Sequence, residues 1–267
     1  MESTYELPSQ KTIYKTALSM AWPAVLESFL IALTGFLDSI MVSSQGDEAI
    51  AAVGLTGQPK FIGLAIFISI GIAVSSIVAR RRGEQNQESA NRLLKLVLIV
   101  VVILSLVVGL AYLFFSRDIM LLAGAQEDTV DISTQYLTII MVAMIFNTVT
   151  MIVNAAQRGA GNTRISMVTN TTSNVVNVIF NFLLIGGNFG FPALGVNGAA
   201  IATVIGTMVA CAMSIRSLFK KESFVYLKAY KGIATTKADI KSLIDISASA
   251  FTEQFFLRVG FFLFNLT

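Results

Sequence analysis

The sequence contains no histidine and a single cysteine, Cys211. Without histidine there is no imidazole metal site, and a serine or cysteine nucleophile has no histidine base. One cysteine excludes an intrachain disulfide framework. These absences remove the commonest catalytic constellations. We therefore predict that the protein is not an enzyme and binds no cofactor.

Charged residues are also scarce, at 13% of the chain, whereas 55% of the residues are hydrophobic and the mean hydropathy is +0.74. This composition is typical of a protein that crosses a bilayer several times. The first apolar run is too long for a signal peptide and is followed by others. The sequence therefore predicts an all-α polytopic membrane protein, with the lipid bilayer as a partner and no nucleic acid.

Seven apolar runs are each near the roughly 20 residues that a helix needs to cross a bilayer. They lie at 18–42, 53–79, 94–115, 133–156, 166–187, 196–218 and 244–267. We number the predicted transmembrane helices one to seven in this order.

The loops between these runs differ in charge. Basic residues follow the second, fourth and sixth runs, whereas the alternate loops are mainly acidic; the basic set is Arg80, Arg81, Arg82, Arg92, Lys95, Arg158, Arg164, Arg216, Lys220, Lys221, Lys228, Lys231, Lys237 and Lys241. By the positive-inside rule, this asymmetry predicts a multi-pass plasma-membrane protein with a cytoplasmic N-terminus. Lys60 breaks the pattern, and we expect its side chain to extend to the outer interface.

Predicted helix one carries two carboxylates, Glu27 in its inner half and Asp38 in its outer half. At 100° per residue they lie within about 20° of one another, and Thr34 shares their stripe. A charge near the bilayer centre costs roughly 2.5–3.5 kcal/mol, so this face must contact protein or water. Both carboxylates are therefore candidate functional residues.

Asparagines form a second polar stripe, on predicted helix five. Their spacing places all five within about 60° of one another; they are Asn170, Asn174, Asn177, Asn181 and Asn188. Further polar side chains occur on helix four (Tyr136, Asn147, Thr150 and Asn154) and on helix six (Thr203 and Thr207). A single asparagine in a membrane helix often only pairs helices, but five on one face suit a hydrated cavity.

A carboxylate, amide oxygens and a hydroxyl form a hard-oxygen ligand set, which suits Na⁺ or a proton held on the carboxyl group. If helices one, five and six converge, the set is Asp38, Asn177, Asn181 and Thr203. Helix six also repeats a small residue every fourth position, which predicts a close helix–helix contact; the residues are Gly198, Ala202, Gly206 and Ala210.

A short internal repeat links the two ends of the chain. SAFTEQFF at 249–256 aligns with PAVLESFL at 23–30, so that Glu253 corresponds to Glu27. Six predicted helices separate the copies, which keeps them in the same orientation, as in parallel-repeat transporters. We therefore predict a six-helix lobe at 1–220, a basic cytoplasmic linker at 221–242 and helix seven at 243–267. Helix seven would begin a second lobe, the rest of which is missing from this chain.

Four segments resemble the MATE family of multidrug and toxic compound extrusion transporters. They are WPAVLESFLIALTGFLDSIMVS at 22–43, QRGAGNTR at 157–164, NVVNVIFNFLLIGG at 174–187 and LGVNGAAIAT at 194–203. The resemblance implies a twelve-helix protein of two lobes, of which this chain is the N-terminal lobe plus helix seven. It also implies secondary active antiport, in which amphipathic, cationic drugs or toxins are exported in exchange for Na⁺ or H⁺ by alternating access.

The resemblance further implies roles for individual residues. The coupling cation would bind at Asp38, Asn177, Asn181, Thr203 and the Ala199 carbonyl, and these side chains would be the metal ligands if the ion is Na⁺. Helix one would bend at Pro23. Cavity or substrate roles are expected for Glu27, Thr34, Tyr136, Asn147, Asn154, Asn174 and Glu253. Some family members have Asp at the position of Asn181, so this chain has one formal charge fewer there.

The alternative function is a flippase for a lipid-linked precursor on the same broad fold. A flippase cavity is expected to carry several Arg or Lys side chains for pyrophosphate. Apart from Lys95 and Arg216 at the ends of their runs, only Lys60 and Arg258 lie inside predicted helices here. This scarcity favours the antiporter.

Overall fold

The computed structural model describes residues 10–227 and 235–264, and this part of the chain is helical, without β-strands. Nine α-helices and one 3-10 turn follow one another. They are α1 (Gln10–Ser43), α2 (Asp47–Leu55), α3 (Gly57–Gly83), α4 (Gln87–Leu122), α5 (Val130–Val142), α6 (Met144–Gly159), α7 (Thr163–Ile185), the 3-10 turn Asn188–Gly190, α8 (Gly195–Ser217) and α9 (Lys237–Phe264).

Two of the predicted transmembrane helices are broken. The second run forms α2 and α3, which meet at Thr56, where Gly54, Gly57 and Pro59 cluster. Proline has no N–H for the helical ladder and glycine is a poor helix former, so a break here is expected physically. The fourth run forms α5 and α6, which are bent by 49° relative to one another.

Five segments in the described residues are long and apolar enough to cross a membrane, or six if the bent α5–α6 pair is one span. They correspond to the first six predicted runs. α9 is not among these segments within the described residues. Its first turns carry several charges, so its mean hydropathy is low there. The all-α polytopic fold is confirmed.

The hydrophobic core lies among α3, α4, α5 and α6. Its largest fully buried side chains are Phe67, Leu93, Leu94, Met120, Leu137, Met141 and Ile152. α1 lies at the edge of the bundle, with Trp22, Phe29 and Phe36 more than 60% exposed. It packs mainly on α7. Its polar stripe therefore faces the asparagine-bearing helix.

The predicted small-residue face of helix six is confirmed as a close contact between α7 and α8. All four of its residues are buried. A Cβ on Gly198 would lie 2.5 Å from the Leu184 carbonyl oxygen, and one on Gly206 would lie 2.7 Å from the Ser173 carbonyl oxygen. Only glycine allows the two backbones to approach this closely, and the approach holds Thr203 beside α7.

The predicted linker is partly folded. Gln87 and Asn91 on α4 donate side-chain hydrogen bonds to the Phe224 carbonyl, at 2.9 and 3.1 Å. α9 begins at Lys237, inside the predicted linker and earlier than the predicted start at 243. There Asp239 forms an ion pair with Arg81 and accepts a 2.9 Å hydrogen bond from Ser89. These polar contacts attach the start of α9 to α3 and α4.

Candidate functional site

A cavity of about 260 Å³ lies between the C-terminal half of α1, the α2–α3 junction, α5, α7 and α8. It is lined by Gly35, Asp38, Ser39, Val42, Ile50, Val53, Gly54, Lys60, Tyr136, Asn181, Ala199 and Thr203. Apolar side chains from the same helices pack around it, including Val42, Ala49, Ile185 and Val196. Polar groups therefore converge in a pocket that is otherwise apolar.

Asp38 is half-buried, and its carboxylate is held by the asparagines of α7. The Asn181 side-chain amide donates to Asp38 Oδ1 at 2.5 Å. The Asn177 side-chain amide makes hydrogen bonds with both its nitrogen and its oxygen when the nitrogen faces Asp38. In this orientation it donates to Asp38 Oδ1 at 2.9 Å, and its oxygen lies 3.1 Å from Thr203 Oγ1. The two asparagines are four residues apart, about one helical turn, and so lie on the same face of α7.

The predicted cation ligands thus come together from three helices. Thr203 Oγ1 lies 3.0 Å from the Ala199 carbonyl oxygen, to which it donates. Asn181 Oδ1 is buried and has no hydrogen-bond partner among the residues that the structure describes. A buried acceptor without a donor is costly, and a small hard cation or a protonated carboxyl group would satisfy it. The oxygen set at this site therefore fits a small cation or a proton.

This is not a cluster of acidic, histidine or cysteine ligands. In residues 10–227 and 235–264, no three such side chains lie close enough together to hold a metal ion. The candidate cation site has one carboxylate, and its other oxygens come from amides, a hydroxyl and a carbonyl. Such a weakly charged set favours a monovalent ion over a divalent one.

Lys60 is the main residue of this cavity that the sequence did not predict. Its position early in an apolar run suggested a side chain directed to the outer interface, and this expectation was wrong. Lys60 lies one turn after the helix irregularity at Thr56 and lines the cavity with Asp38. The sequence feature that could have indicated an irregular helix near Lys60 is the group Gly54, Gly57 and Pro59. Buried Tyr136, which the sequence did single out, lies in the same cavity.

Glu27, the inner carboxylate of α1, has a separate set of partners. Its Oε1 accepts a 2.6 Å hydrogen bond from the Asn170 side-chain amide and a 3.3 Å hydrogen bond from Ser166 Oγ. Arg158 on α6 donates to the same Ser166 Oγ at 2.8 Å. The N-terminal half of α1 is therefore connected to the end of α6 and the start of α7 by a carboxylate and a guanidinium that share one serine.

The polar chain continues from Asn170 into the bundle. Asn154 on α6 donates to Asn170 Oδ1 at 3.3 Å, and Ser214 on α8 donates to Asn154 Oδ1 at 3.2 Å. Asn154 is buried at 2% exposure. Asn154 therefore belongs to the Glu27 network and does not line the Asp38 cavity.

The predicted asparagine stripe thus divides between two carboxylates. Asn170 donates a hydrogen bond to Glu27, whereas Asn177 and Asn181 donate to Asp38. Asn174 lies between them with a buried Nδ2 that has no partner. Asn188 was wrongly included, because α7 ends at Ile185 and the Asn188 amide instead donates to the Phe182 carbonyl at 2.6 Å.

The remaining predicted residues lie outside the Asp38 cavity. Thr34 donates to the Leu30 carbonyl at 2.8 Å within α1. Asn147 is half-buried on α6, and Glu253 is exposed on α9. α1 continues without interruption through Pro23. Their expected roles in substrate binding and helix bending remain predictions.

Comparison with known proteins places this arrangement in a family. The MatE family model matches residues 23–183. A probable multidrug resistance protein NorM of Thermotoga maritima is 25% identical over 265 residues, which covers 97% of this chain and 56% of the relative. An FAD transporter of Shewanella oneidensis is 29% identical over 202 residues, covering 76% of this chain and 45% of the relative.

The fold agrees with a solved structure described as the outward-facing conformation of a multidrug resistance MATE family transporter of the MOP superfamily. The TM-score is 0.84 at 23% identity, and the match covers 93% of this chain and 54% of that one. The chain thus spans about half the length of the relatives that it matches. This is consistent with an N-terminal lobe followed by the start of a second one.

Proposed function

Because this chain belongs to the MatE family, we propose that it is the N-terminal part of a secondary active antiporter that exports an organic compound in exchange for Na⁺ or H⁺. The family consists of transporters, not enzymes. The family and the span-length helices make the chain part of a multi-pass membrane protein. The missing second lobe, the coupling cation and the organic substrate would be its partners.

The observation that carries the proposal is the Asp38 carboxylate in its cavity. It is held by Asn181 and Asn177, with the unsatisfied Asn181 Oδ1 beside it. An ionised carboxylate is costly in a low-dielectric bundle unless a cation or a proton neutralises it. Loading and unloading of a cation at Asp38 would therefore change how readily this part of α1 can be buried.

Alternating access would follow from this change in charge. Pro23 removes one helical hydrogen bond from α1, which makes the inner half of that helix a place to bend. Each 100 mV of membrane potential contributes about 2.3 kcal/mol per charge that crosses. Since 1.4 kcal/mol is a factor of ten, one net charge sustains a substrate gradient of roughly fifty-fold. A gradient of this size is sufficient for efflux.

Two substrate classes are supported by different observations. Amphipathic organic cations are the first class, because the relatives include multidrug resistance proteins and the cavity combines a carboxylate with apolar walls. Organic anions are the second, because Lys60 lines the same cavity and one relative is an FAD transporter. A lipid-linked precursor is not favoured, since the relatives reported above are not named as flippases.

We further propose that the protein lies in the plasma membrane with its N-terminus in the cytoplasm. The basic residues at one end of the bundle, including Arg80, Arg164 and Lys220, support this orientation by the positive-inside rule. The acidic loop at Asp47 and the segment near Asp128 belong to the opposite end.

The test is efflux from vesicles that contain the complete protein, first under a pure Na⁺ gradient and then under a pure pH gradient. Asp38→Asn should abolish ion-driven efflux under both. Asp118→Asn removes an exposed carboxylate of α4 outside the cavity and should leave efflux unchanged. If Asp38→Asn exports at the normal rate, Asp38 does not couple the ion to transport.

A further inference from the structure

A second cavity lies at the basic end of the bundle, between the start of α7 and the end of α8. Its volume is about 730 Å³. It is lined by Asn162, Arg164, Ile165, Val168, Thr169, Met213, Arg216, Ser217, Lys220, Glu222 and Ser223. We call it the α7–α8 groove, and we propose that it binds the headgroup of an anionic phospholipid of the adjacent leaflet.

The charge of the groove supports an anionic ligand. Arg164, Arg216 and Lys220 contribute three positive charges, and Glu222 contributes one negative charge. In the part of the chain that the structure describes, none of these three basic side chains has a hydrogen bond or an ion pair. The groove therefore carries a net charge of +2, which no ion pair with another of the described residues neutralises.

Two other arginines at the basic end of the bundle do form ion pairs. Arg80 and Arg81 both pair with Glu84, and Arg81 also pairs with Asp239. The chain thus supplies carboxylates for those guanidinium groups but leaves the groove cations without them. Three converging cations without partners suit a phosphate group, which has several strong acceptor oxygens.

The apolar side of the groove indicates a lipid instead of a soluble anion. Ile165, Val168 and Met213 line it together with the cations. Val168 is 41% exposed. A headgroup at the cations would place acyl chains along this exposed apolar surface, whereas a free phosphate would leave it uncovered.

The position along the membrane agrees with the same occupant. The α7 segment that is able to cross a membrane begins at Thr163, and the α8 segment ends at Ser217. The groove therefore lies where both spans leave the hydrocarbon region, at the depth of lipid phosphates. Basic pockets between membrane helices on the cytoplasmic side are known to bind anionic headgroups. This inference concerns the groove and does not depend on the transport cycle proposed above.

The test measures binding of fluorescent phosphatidylglycerol to the complete protein in detergent, with phosphatidylcholine of the same acyl chains as the neutral probe. Phosphatidylglycerol should bind more tightly. Each of Arg164→Gln, Arg216→Gln and Lys220→Gln should weaken its binding about fivefold, since one basic residue near an anionic surface contributes about that factor. All three side chains are exposed, so folding should be preserved and the single variants form a graded series.

The matched control is a triple variant, Lys15→Gln, Lys237→Gln and Lys241→Gln, which removes three exposed positive charges outside the groove. It should bind phosphatidylglycerol as the unmodified protein does. The comparison is with a variant that combines Arg164→Gln, Arg216→Gln and Lys220→Gln. An equal loss of binding in both triple variants would overturn the proposal in favour of general surface electrostatics. Displacement of the lipid by millimolar glycerol phosphate would overturn it in favour of a soluble-anion site.

Discussion

Asp38 on α1 and Lys60 on α3 line the same cavity of about 260 Å³. The cavity thus holds one carboxylate and one ammonium group before any cation enters it. The two side chains come from different membrane-spanning segments, Asp38 from α1 and Lys60 from the α2–α3 segment Asp47–Gly83. A cation that binds at Asp38 therefore does so in the field of Lys60, which bears on the choice between Na⁺ and H⁺.

Lys60→Gln should strengthen Na⁺ binding by the complete protein about tenfold. For a separation of about 12 Å between the Lys60 ammonium group and the ion, and an effective dielectric constant of about 20, the repulsion between two unit charges is about 1.4 kcal/mol. Na⁺ titration of the purified protein measures the effect. Lys241→Gln, which removes an exposed lysine of α9, should leave Na⁺ affinity unchanged. Equal or weaker Na⁺ binding by Lys60→Gln would show that the ammonium does not oppose the ion.

The Glu27–Asn170 hydrogen bond should appear as an energetic coupling between α1 and α7. A bond of 2.6 Å to a carboxylate contributes roughly 1.5–3 kcal/mol. A double-mutant cycle of Glu27→Gln and Asn170→Ala, measured by unfolding in mixed micelles, should therefore give a coupling energy above about 1 kcal/mol.

The control cycle combines Glu27→Gln with Asn147→Ala. Asn147 is not hydrogen-bonded to Glu27 or to its partners, so the two effects should be additive. Additivity in both cycles would mean that the Glu27 network does not stabilise the inner ends of α1 and α7.

Gly206→Ala should loosen the candidate cation site without changing any of its ligands. The new Cβ would lie 2.7 Å from the Ser173 carbonyl oxygen and 3.3 Å from Asn177 Cβ, so α8 must move away from α7. Overpacking of this kind costs typically 1–3 kcal/mol and would displace Asn177 from Asp38. The free energy of unfolding should therefore fall, and the cation affinity measured by titration should weaken. Gly83→Ala, where the added Cβ has no neighbour within 4 Å, should change neither.

The attachment of α9 should depend on pH through Asp239. Burial raises the pKa of Asp239, but hydrogen bonds from Arg81, Thr236 and Ser89 outweigh this effect and hold the pKa below its usual value. The stabilisation is therefore complete above the unfolded pKa of about 3.9 and is lost as the pH falls through the lower, folded value.

Spin labels on α4 and α9 would measure this dependence, with a distance distribution that broadens as the pH falls below about 4. Asp239→Asn should broaden it at neutral pH, because hydrogen bonds to a charged group contribute about 1.5–3 kcal/mol. Asp245→Asn, at an exposed position on the same helix, is the control. A distribution in Asp239→Asn that matches the unmodified protein at every pH would exclude Asp239 as the attachment.

Much of the candidate cation site could be predicted before the structure. Asp38, Asn177, Asn181 and Thr203 are polar residues at helical spacing in apolar runs, and the cost of burying them implies a common polar face. The structure brings them together as expected. The role of this cluster in cation coupling is still a proposal, because convergence of the oxygens is a geometric fact and coupling is a functional one.

Other features could not be read from periodicity. Asn188 shares the angular position of the stripe, but Gly186 and Gly187 follow the end of α7 and remove it from the helix. The position of Lys60 beside Asp38 depends on how α1 and the α2–α3 segment are arranged in the bundle. The five asparagines appeared to form one group, and only the offset of α1 along α7 assigns Asn170 to Glu27 and Asn181 to Asp38.

The sequence by itself determined the membrane-spanning helices, the two carboxylates on one face of α1 and the small-residue contact of α8, because hydropathy and helical spacing are local properties of the chain. Tertiary structure alone decided which amide meets which carboxylate and that Lys60 shares the cavity of Asp38. Those contacts depend on the bends, breaks and relative offsets of the helices, which are set by packing between segments far apart in the sequence.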